Sequence, residues 1–380
     1  MKRPRVAVCT AAVGYGHCRA AEVISNILTP RFDVTRFEAL SYAPAWFNGI
    51  YRNGYLRVIR TIPSLQRWIY DRTDHVCDGT SAGEGIERFA MRGFLADLMN
   101  FRPDIVFCTH FLCARVIAEA IKRGTLESRL VVCVTDLHPH GVWLTKSADR
   151  YLVACSSAAD RVESLGLGRA KTRAVGIPVH SDFGVMQRDA ARAALRIPSD
   201  SSVALFTGGG LGLGGLEVAV RAAAERCPDL FIIAVCGRDD ALRARMDDMM
   251  IQLRRSNRIY GFTDEMPLLM AASDVLVGKP GGLTTAEALA SELPMILLNP
   301  IPGQEEANAR MLTASGVAEL LSDSKAAGTR AAELAMDPHA LERMRRCIRE
   351  TRSRFDACAV LDAACSLIDT DHSAPRSANA

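Results

Sequence analysis

The sequence predicts an α/β protein made of two doubly wound, Rossmann-like halves. Three observations lead there. Short β-branched runs alternate with helical stretches, most of the runs are bounded by Gly or Pro, and the series occurs twice, on either side of Gly176-Ile177-Pro178. Such alternation indicates parallel sheets covered by helices on both faces. A length of 380 residues fits two domains better than one.

In the first half the strand-like runs lie at 5–10, 32–37, 104–109, 129–135 and 150–154, with helices expected at 17–28, 84–100, 111–123 and 157–165. In the second half the runs lie at 202–207, 230–235, 258–260, 275–277 and 295–298. Helices are expected there at 216–226, 239–254, 284–291 and 305–314. The polar stretch 180–188 reads as a linker. The predicted domains are therefore 1–178 and 179–368, the second closing with long charged helices over 338–368. Residues 369–380 read as a disordered tail.

Composition narrows the class. Hydrophobic residues make up 49% and charged residues 23%, as in ordinary globular chains. No apolar run approaches the length of a membrane span, and the short N-terminal run lacks the features of a secretory leader. A cytosolic location is expected. The twelve cysteines are scattered through apolar runs without a C-x-x-C pair, which predicts buried thiols in a reducing compartment. The charge is uneven. Residues 1–175 hold 24 Lys and Arg against 16 Asp and Glu, and the remainder holds 22 against 27. A basic first half suggests an anionic partner. No RNA-binding motif appears, so no nucleic acid is expected.

Residues 41–72 break the alternation. They hold two of the three Trp and four of the seven Tyr. On a helical wheel Trp46, Phe47, Ile50, Tyr51, Tyr55, Val58 and Ile59 share a face, with Arg52, Arg57 and Arg60 on the other. Arg67, Trp68 and Arg72 follow. An aromatic face opposite a basic one suits an interfacial membrane helix, although a helix packed on its own domain remains the alternative.

Three clusters carry chemistry. The first strand runs into Gly14-Tyr15-Gly16-His17 and then a helix. Gly14 and Gly16 let the backbone approach a ligand. His17, at the helix start, is placed to take a proton from an alcohol. A dinucleotide fingerprint would need glycine at Arg19 and an acid better placed than Glu38, so the dehydrogenase reading is weak. Residues 207–215 contain six glycines, including Gly209 and Gly210, between a strand and a helix. This cradle suits a diphosphate but lacks the P-loop's G-K-[ST]. The third cluster places Gly281 and Gly282 at a helix start, with Thr284 and Glu287 in its first turns. Gln304, Glu305 and Asn308 open the next helix. Carboxylates and amides there suit ribose and sugar hydroxyls. Asp239-Asp240 lacks a third metal ligand at useful spacing.

The segment KPGGLTTAEALASELPMILLNPIPGQEEANA resembles the nucleotide-sugar signature of one family of inverting GT-B glycosyltransferases. That family includes monogalactosyldiacylglycerol synthases, processive diacylglycerol glucosyltransferases and, more distantly, the lipid-II-forming N-acetylglucosaminyltransferase. VGYGHCRAA is similar to the opening turn of the diacylglycerol branch, and VTDLHPHGVWL to its T-D…H-x-x-W segment, matched by Asp136, His140 and Trp143. Cys18 departs from the polar residue that often follows the histidine.

The resemblance implies a GT-B fold with its active site in the cleft between the domains. It implies a UDP-sugar donor as substrate, with no cofactor and no metal. Glu287 would hold the ribose, and Gly209, Gly210, Gly281 and Gly282 the diphosphate. Gln304, Glu305 and Asn308 would read the sugar and nearby phosphate, with Thr284 also in the donor site, and the stretch from Tyr260 through Phe262 to Met266 would hold the uracil. His17 would be the base, with Gly14, Gly16, Asp136, His140 and Trp143 on the acceptor side. Diacylglycerol or a similar lipid would be the acceptor, taken at an anionic membrane surface on the cytoplasmic face through Trp46, Arg52, Tyr55, Arg57, Arg60, Arg67 and Trp68. A UDP-N-acetylglucosamine 2-epimerase, transfer to a prenyl diphosphate and a non-catalytic UDP-sugar sensor stay open as alternatives.

Overall fold

The computed structural model describes residues 3–49, 51, 63–76, 82–208, 215–255, 257–351 and 355–369. Of the sites expected from sequence, Arg52, Tyr55, Arg57, Arg60, Gly209 and Gly210 lie outside the described residues, as does the tail from 370 onward.

The chain forms two compact units, each built on a parallel six-stranded sheet. The first sheet consists of β1 (Arg5–Thr10), β2 (Asp33–Glu38), β3 (Ile105–Cys108), β4 (Arg129–Cys133), β5 (Arg150–Val153) and β6 (Thr172–Ala174). Its strands lie in the order β2-β1-β3-β4-β5-β6. The second consists of β7 (Val203–Thr207), β8 (Phe231–Val235), β9 (Asn257–Tyr260), β10 (Val275–Gly278), β11 (Met295–Leu298) and β12 (Ala318–Leu321). The order there is β12-β11-β10-β7-β8-β9. Each order reverses once, between β1 and β3 in the first sheet and between β7 and β10 in the second. In open parallel sheets ligands bind at such reversals, beyond the carboxyl ends of the strands.

Strand periodicity builds the core on both faces of the first sheet. Ala7 and Cys9 of β1 point into one apolar cluster, and Val6 and Val8 into the other. The second cluster is completed from far along the chain. Val360, Ala363, Ala364 and Leu367, spaced one helical turn apart on Ala357–Asp369, pack with Val6, Val8, Ile24 and Leu28. The second unit is therefore Val179–Arg354, and the chain returns to the first unit from Phe355. This corrects the expected 179–368 boundary. The apolar stripe of this last helix covers the first sheet, and Asp369, assigned to the tail, closes the helix.

Two further differences have local causes. The helix expected over 84–100 is two, Ala82–Ala90 and Arg92–Phe101, broken at buried Met91. The aromatic stretch opens with a short helix, Ala45–Asn48, in which Phe47 is buried and stacks on Tyr51 at 5.3 Å. Phe47 thus faces the core, while Trp46 remains 48% exposed. The eleven described cysteines are all free.

Candidate functional site

The turn after β1 places His17 in the first turn of the helix Tyr15–Leu28. Gly14 precedes that helix in extended conformation, and a Cβ there would meet nothing within 4 Å. The space above the helix start is open. Glu38, at the end of β2, spends its carboxylate on Ala12 N at 2.8 Å and Leu40 N at 3.1 Å. It shapes the turn, and the dinucleotide reading loses its acid.

His17 Nδ1 donates to Thr109 O at 3.0 Å and lies 2.8 Å from Thr135 Oγ1. A carbonyl only accepts, so Nδ1 carries the proton and Nε2 keeps its lone pair. Thr109 returns the contact, its hydroxyl donating to His17 O at 2.9 Å. Burial pulls the imidazole down from 6.5 to about 4, against the opposing effect of the Thr109 bond. At neutral pH the ring is uncharged, and its Nδ1 is held by residues that follow β3 and β4.

Trp143 and His110 surround His17, with ring centroids 6.0 and 4.6 Å away. Asp136 and Trp143, read from sequence as acceptor-side residues, are buried. Asp136 Oδ2 accepts the Trp143 indole N–H at 2.9 Å, which fixes the indole beside His17. His140 is also buried. Its Nδ1 accepts from Val142 N at 3.1 Å, and its Nε2–H donates to Tyr70 O at 2.7 Å. These three residues frame the site from behind. Both polar side chains are buried, Asp136 bonded to the Trp143 indole and His140 to Tyr70 O and Val142 N.

The same loop holds the helix Pro63–Arg72 in place. Asp74 Oδ1 accepts from Gly141 N at 2.8 Å, and its other oxygen pairs with Arg161 at 2.5 Å. Sequence reading missed Asp74, Arg161, Thr109, Thr135 and His110, because their partners lie far away along the chain. Trp68 on this helix is 57% exposed, and Arg72 lies over its ring at 5.2 Å. Arg67 and Arg72 are exposed as well.

In the second unit the β7/β10 reversal brings the ends of the two strands close together. A Cβ on Gly278 would meet Thr207 Cγ2 at 3.0 Å. Gly281 caps the helix Gly282–Ala290, and Glu287 lies half-buried in its second turn, with Thr284 half-buried before it. The next helix, Gln304–Ala314, starts against this loop. A Cβ on Gly281 would lie 4.0 Å from Glu305 Oε1. Burial raises the Glu305 carboxyl above its ordinary range, opposed by Ile301 N–H at 2.7 Å and by Lys279. Asn308 is fully buried and donates to Pro280 O at 3.1 Å. This bond ties the start of one helix to the loop before the other. Gln304 is half-buried at the same helix start. Met266 opens the helix Met266–Ala272, next to Phe262. The Phe262 ring is 47% exposed, and Arg238 lies over it at 5.2 Å. Among the described residues no cluster of three or more His, Cys, Asp or Glu could hold a metal.

Two units, each a parallel six-stranded sheet with one reversal of strand order, are the architecture of the GT-B glycosyltransferases. Comparison with known proteins agrees. Residues 17–179 match the monogalactosyldiacylglycerol (MGDG) synthase family, and residues 203–353 match the glycosyltransferase family 28 C-terminal domain. The chain thus carries a segment like the monogalactosyldiacylglycerol synthases, followed by a segment like the family 28 glycosyltransferases. It is 24% identical over 379 residues to a processive diacylglycerol beta-glucosyltransferase of Bacillus cereus, covering 99% of this chain and 96% of the relative. Among solved structures, Acinetobacter baumannii MurG matches with a TM-score of 0.66 at 14% identity, over 96% of this chain and 99% of that one. Anabaena Alr3699/HepE in complex with UDP-glucose matches with a TM-score of 0.58 at 13% identity, over 96% and 99%. At these identities the two structures speak for the fold alone.

Proposed function

We propose that the protein transfers a hexose from a UDP-sugar to the hydroxyl of diacylglycerol or a similar lipid, inverting the anomeric carbon, at the cytoplasmic face of a membrane. The observation that carries this reading is His17: Nδ1 anchored to Thr109 O, Nε2 open, and the ring neutral. The acceptor hydroxyl gives its proton to Nε2 as its oxygen attacks the anomeric carbon. The UDP leaves with the electron pair of the broken glycosidic bond. Gly281 and Gly282 open a helix whose free N–H groups and positive end oppose the growing charge on the diphosphate. Glu287 accepts from the ribose hydroxyls. On this reading the transfer uses no metal.

The lipid acceptor is supported by the family match and by the name of the Bacillus relative. No helix among the described residues is long and apolar enough to cross a membrane. The proposed attachment is peripheral, through exposed Trp46 and Trp68 with Arg67 and Arg72 beside them. Ile69, Ile86 and Phe89 are also exposed in the first unit. Indole rings suit the interface, and arginines suit an anionic surface.

The test is to incubate the protein with radiolabelled UDP-glucose, UDP-galactose or UDP-glucuronate and vesicles containing diacylglycerol, with and without anionic lipid. A labelled glycolipid is expected, in greater yield on the anionic vesicles. Labelled soluble sugar with no labelled lipid would refute the reading.

A further inference from the structure

His110 follows β3, across the sheet reversal from His17, and is 2% exposed. Its Nδ1 accepts the backbone N–H of Leu112 at 3.1 Å, capping the helix Phe111–Lys122. An N–H only donates, so Nδ1 holds the lone pair and the proton of the neutral ring sits on Nε2. Burial, and His17 beside it, hold the ring well below its ordinary pKa. Among the described residues, only the capping bond is made by this side chain. The His110 and His17 rings meet edge to face at 4.6 Å, with their planes 83° apart. Phe111 stacks on His110 at 4.4 Å, and Trp143 lies 6.3 Å away. Beyond the strand ends, this corner therefore offers one N–H and one basic nitrogen within aromatic walls.

We propose that His110 is a second acceptor-binding residue, its Nε2–H donating to an oxygen of the molecule whose hydroxyl His17 deprotonates. A neutral imidazole among aromatic rings offers one hydrogen bond and no charge. An uncharged oxygen, of an alcohol or an ester carbonyl, satisfies that single bond. A glycerolipid with a neutral head supplies both. The proposal rests on the reading of His17 as the base, and it adds a reason for the acceptor class.

The experiment separates the two ends of the ring. His110→Asn keeps an oxygen that can cap Leu112 N–H, because asparagine is a good N-cap, but loses the N–H at the Nε2 position. His110→Gln reaches that position with an amide N–H and loses the cap. Both are melted first and then assayed with UDP-sugar and diacylglycerol in detergent micelles. The Asn variant is expected to melt like the parent, with kcat/KM for diacylglycerol lowered about ten- to hundredfold and the donor KM unchanged. The Gln variant is expected to recover part of the loss. An Asn variant with parental kcat/KM for the acceptor overturns the proposal, as does a loss that appears equally in the donor KM. If the Asn variant does not fold, His110→Gln is compared with His110→Leu, and equal acceptor kcat/KM in those two overturns it. His17→Ala, run in parallel, tests the base reading separately: transfer that survives there ends that reading whatever His110 does.

Discussion

At the scale of single residues, the site depends on which ring nitrogen holds a proton. Thr109 O settles this for His17 by accepting from Nδ1. Replacing His17 by Ala removes the lone pair and is expected to lower the transfer rate by about 10² to 10⁴. UDP affinity, measured by calorimetry, should not change, because the proposed donor residues belong to the other unit. Glu287→Ala should act the other way, weakening UDP binding by about 1–3 kcal/mol, the usual cost of leaving hydrogen-bond partners unmet. Unchanged UDP affinity in that variant would remove its ribose role. The pH dependence follows from the low pKa of His17. A free imidazole loses its basic form below 6.5, but this one keeps it down to about 4. Activity should therefore show no histidine limb near 6.5 as the pH is lowered to 5. Stability carries the opposite sign. His17, His110 and His140 are all depressed by burial. The unfolded chain takes up their protons first, so their contribution is complete above about 6.5 and is lost as the pH falls below it. The places of His17 and Gly281 at helix starts were legible in the sequence because each follows a strand and a glycine-bearing turn. Thr109, Thr135 and His110 were not, since their value comes from being brought near His17 across the sheet.

At the scale of elements, the buried strands could be read directly. Apolar runs between turn residues gave β7, β10 and β11 almost to the residue. Edge strands were the ones missed. β6 has two exposed residues of three, and β12 mixes Glu319 among its leucines, so neither shows an apolar run. The helix Pro63–Arg72 was legible only as an aromatic and basic stretch, because its attachment is made by Asp74, His140 and Gly141. The fit at Gly141 is tight: a Cβ would lie 2.2 Å from His75 N. Gly141→Ala must therefore push the 70–76 segment off the loop, breaking the Asp74 and His140 contacts that lead to Trp143. The expected cost is about 1–3 kcal/mol of stability, as for other overpacked sites. Proteolysis between 63 and 76 should become faster, and transfer should fall. A variant with the parent's protease pattern and melting temperature would show that this close approach does not matter.

At the scale of the whole molecule, the chain leaves its first unit at Pro178 and re-enters it at Phe355. The sequence placed residues 355–368 with the second unit because they follow it without a break and continue a helical pattern. Their apolar stripe decides otherwise. Val360, Ala363, Ala364 and Leu367 cover Val6, Val8, Ile24 and Leu28. Ending the chain at Arg354 would leave that face of the first sheet open to water. Burial of one valine and one leucine contributes about 1.5–3 kcal/mol each relative to exposure, with smaller amounts from the two alanines. A loss of about 3–6 kcal/mol is expected, an upper estimate because unfolded chains already bury part of this surface. The loss should fall on one unit, and the sequence supplies its own reporter. All three tryptophans, Trp46, Trp68 and Trp143, lie in the first unit. Tryptophan fluorescence during heating therefore follows that unit, while far-UV circular dichroism follows both. In the shortened chain the fluorescence transition should move to markedly lower temperature, with part of the dichroism change remaining where it was. A fluorescence transition left in place would mean that Ala357–Asp369 adds nothing to the first unit, and that the boundary at Phe355 has no energetic basis.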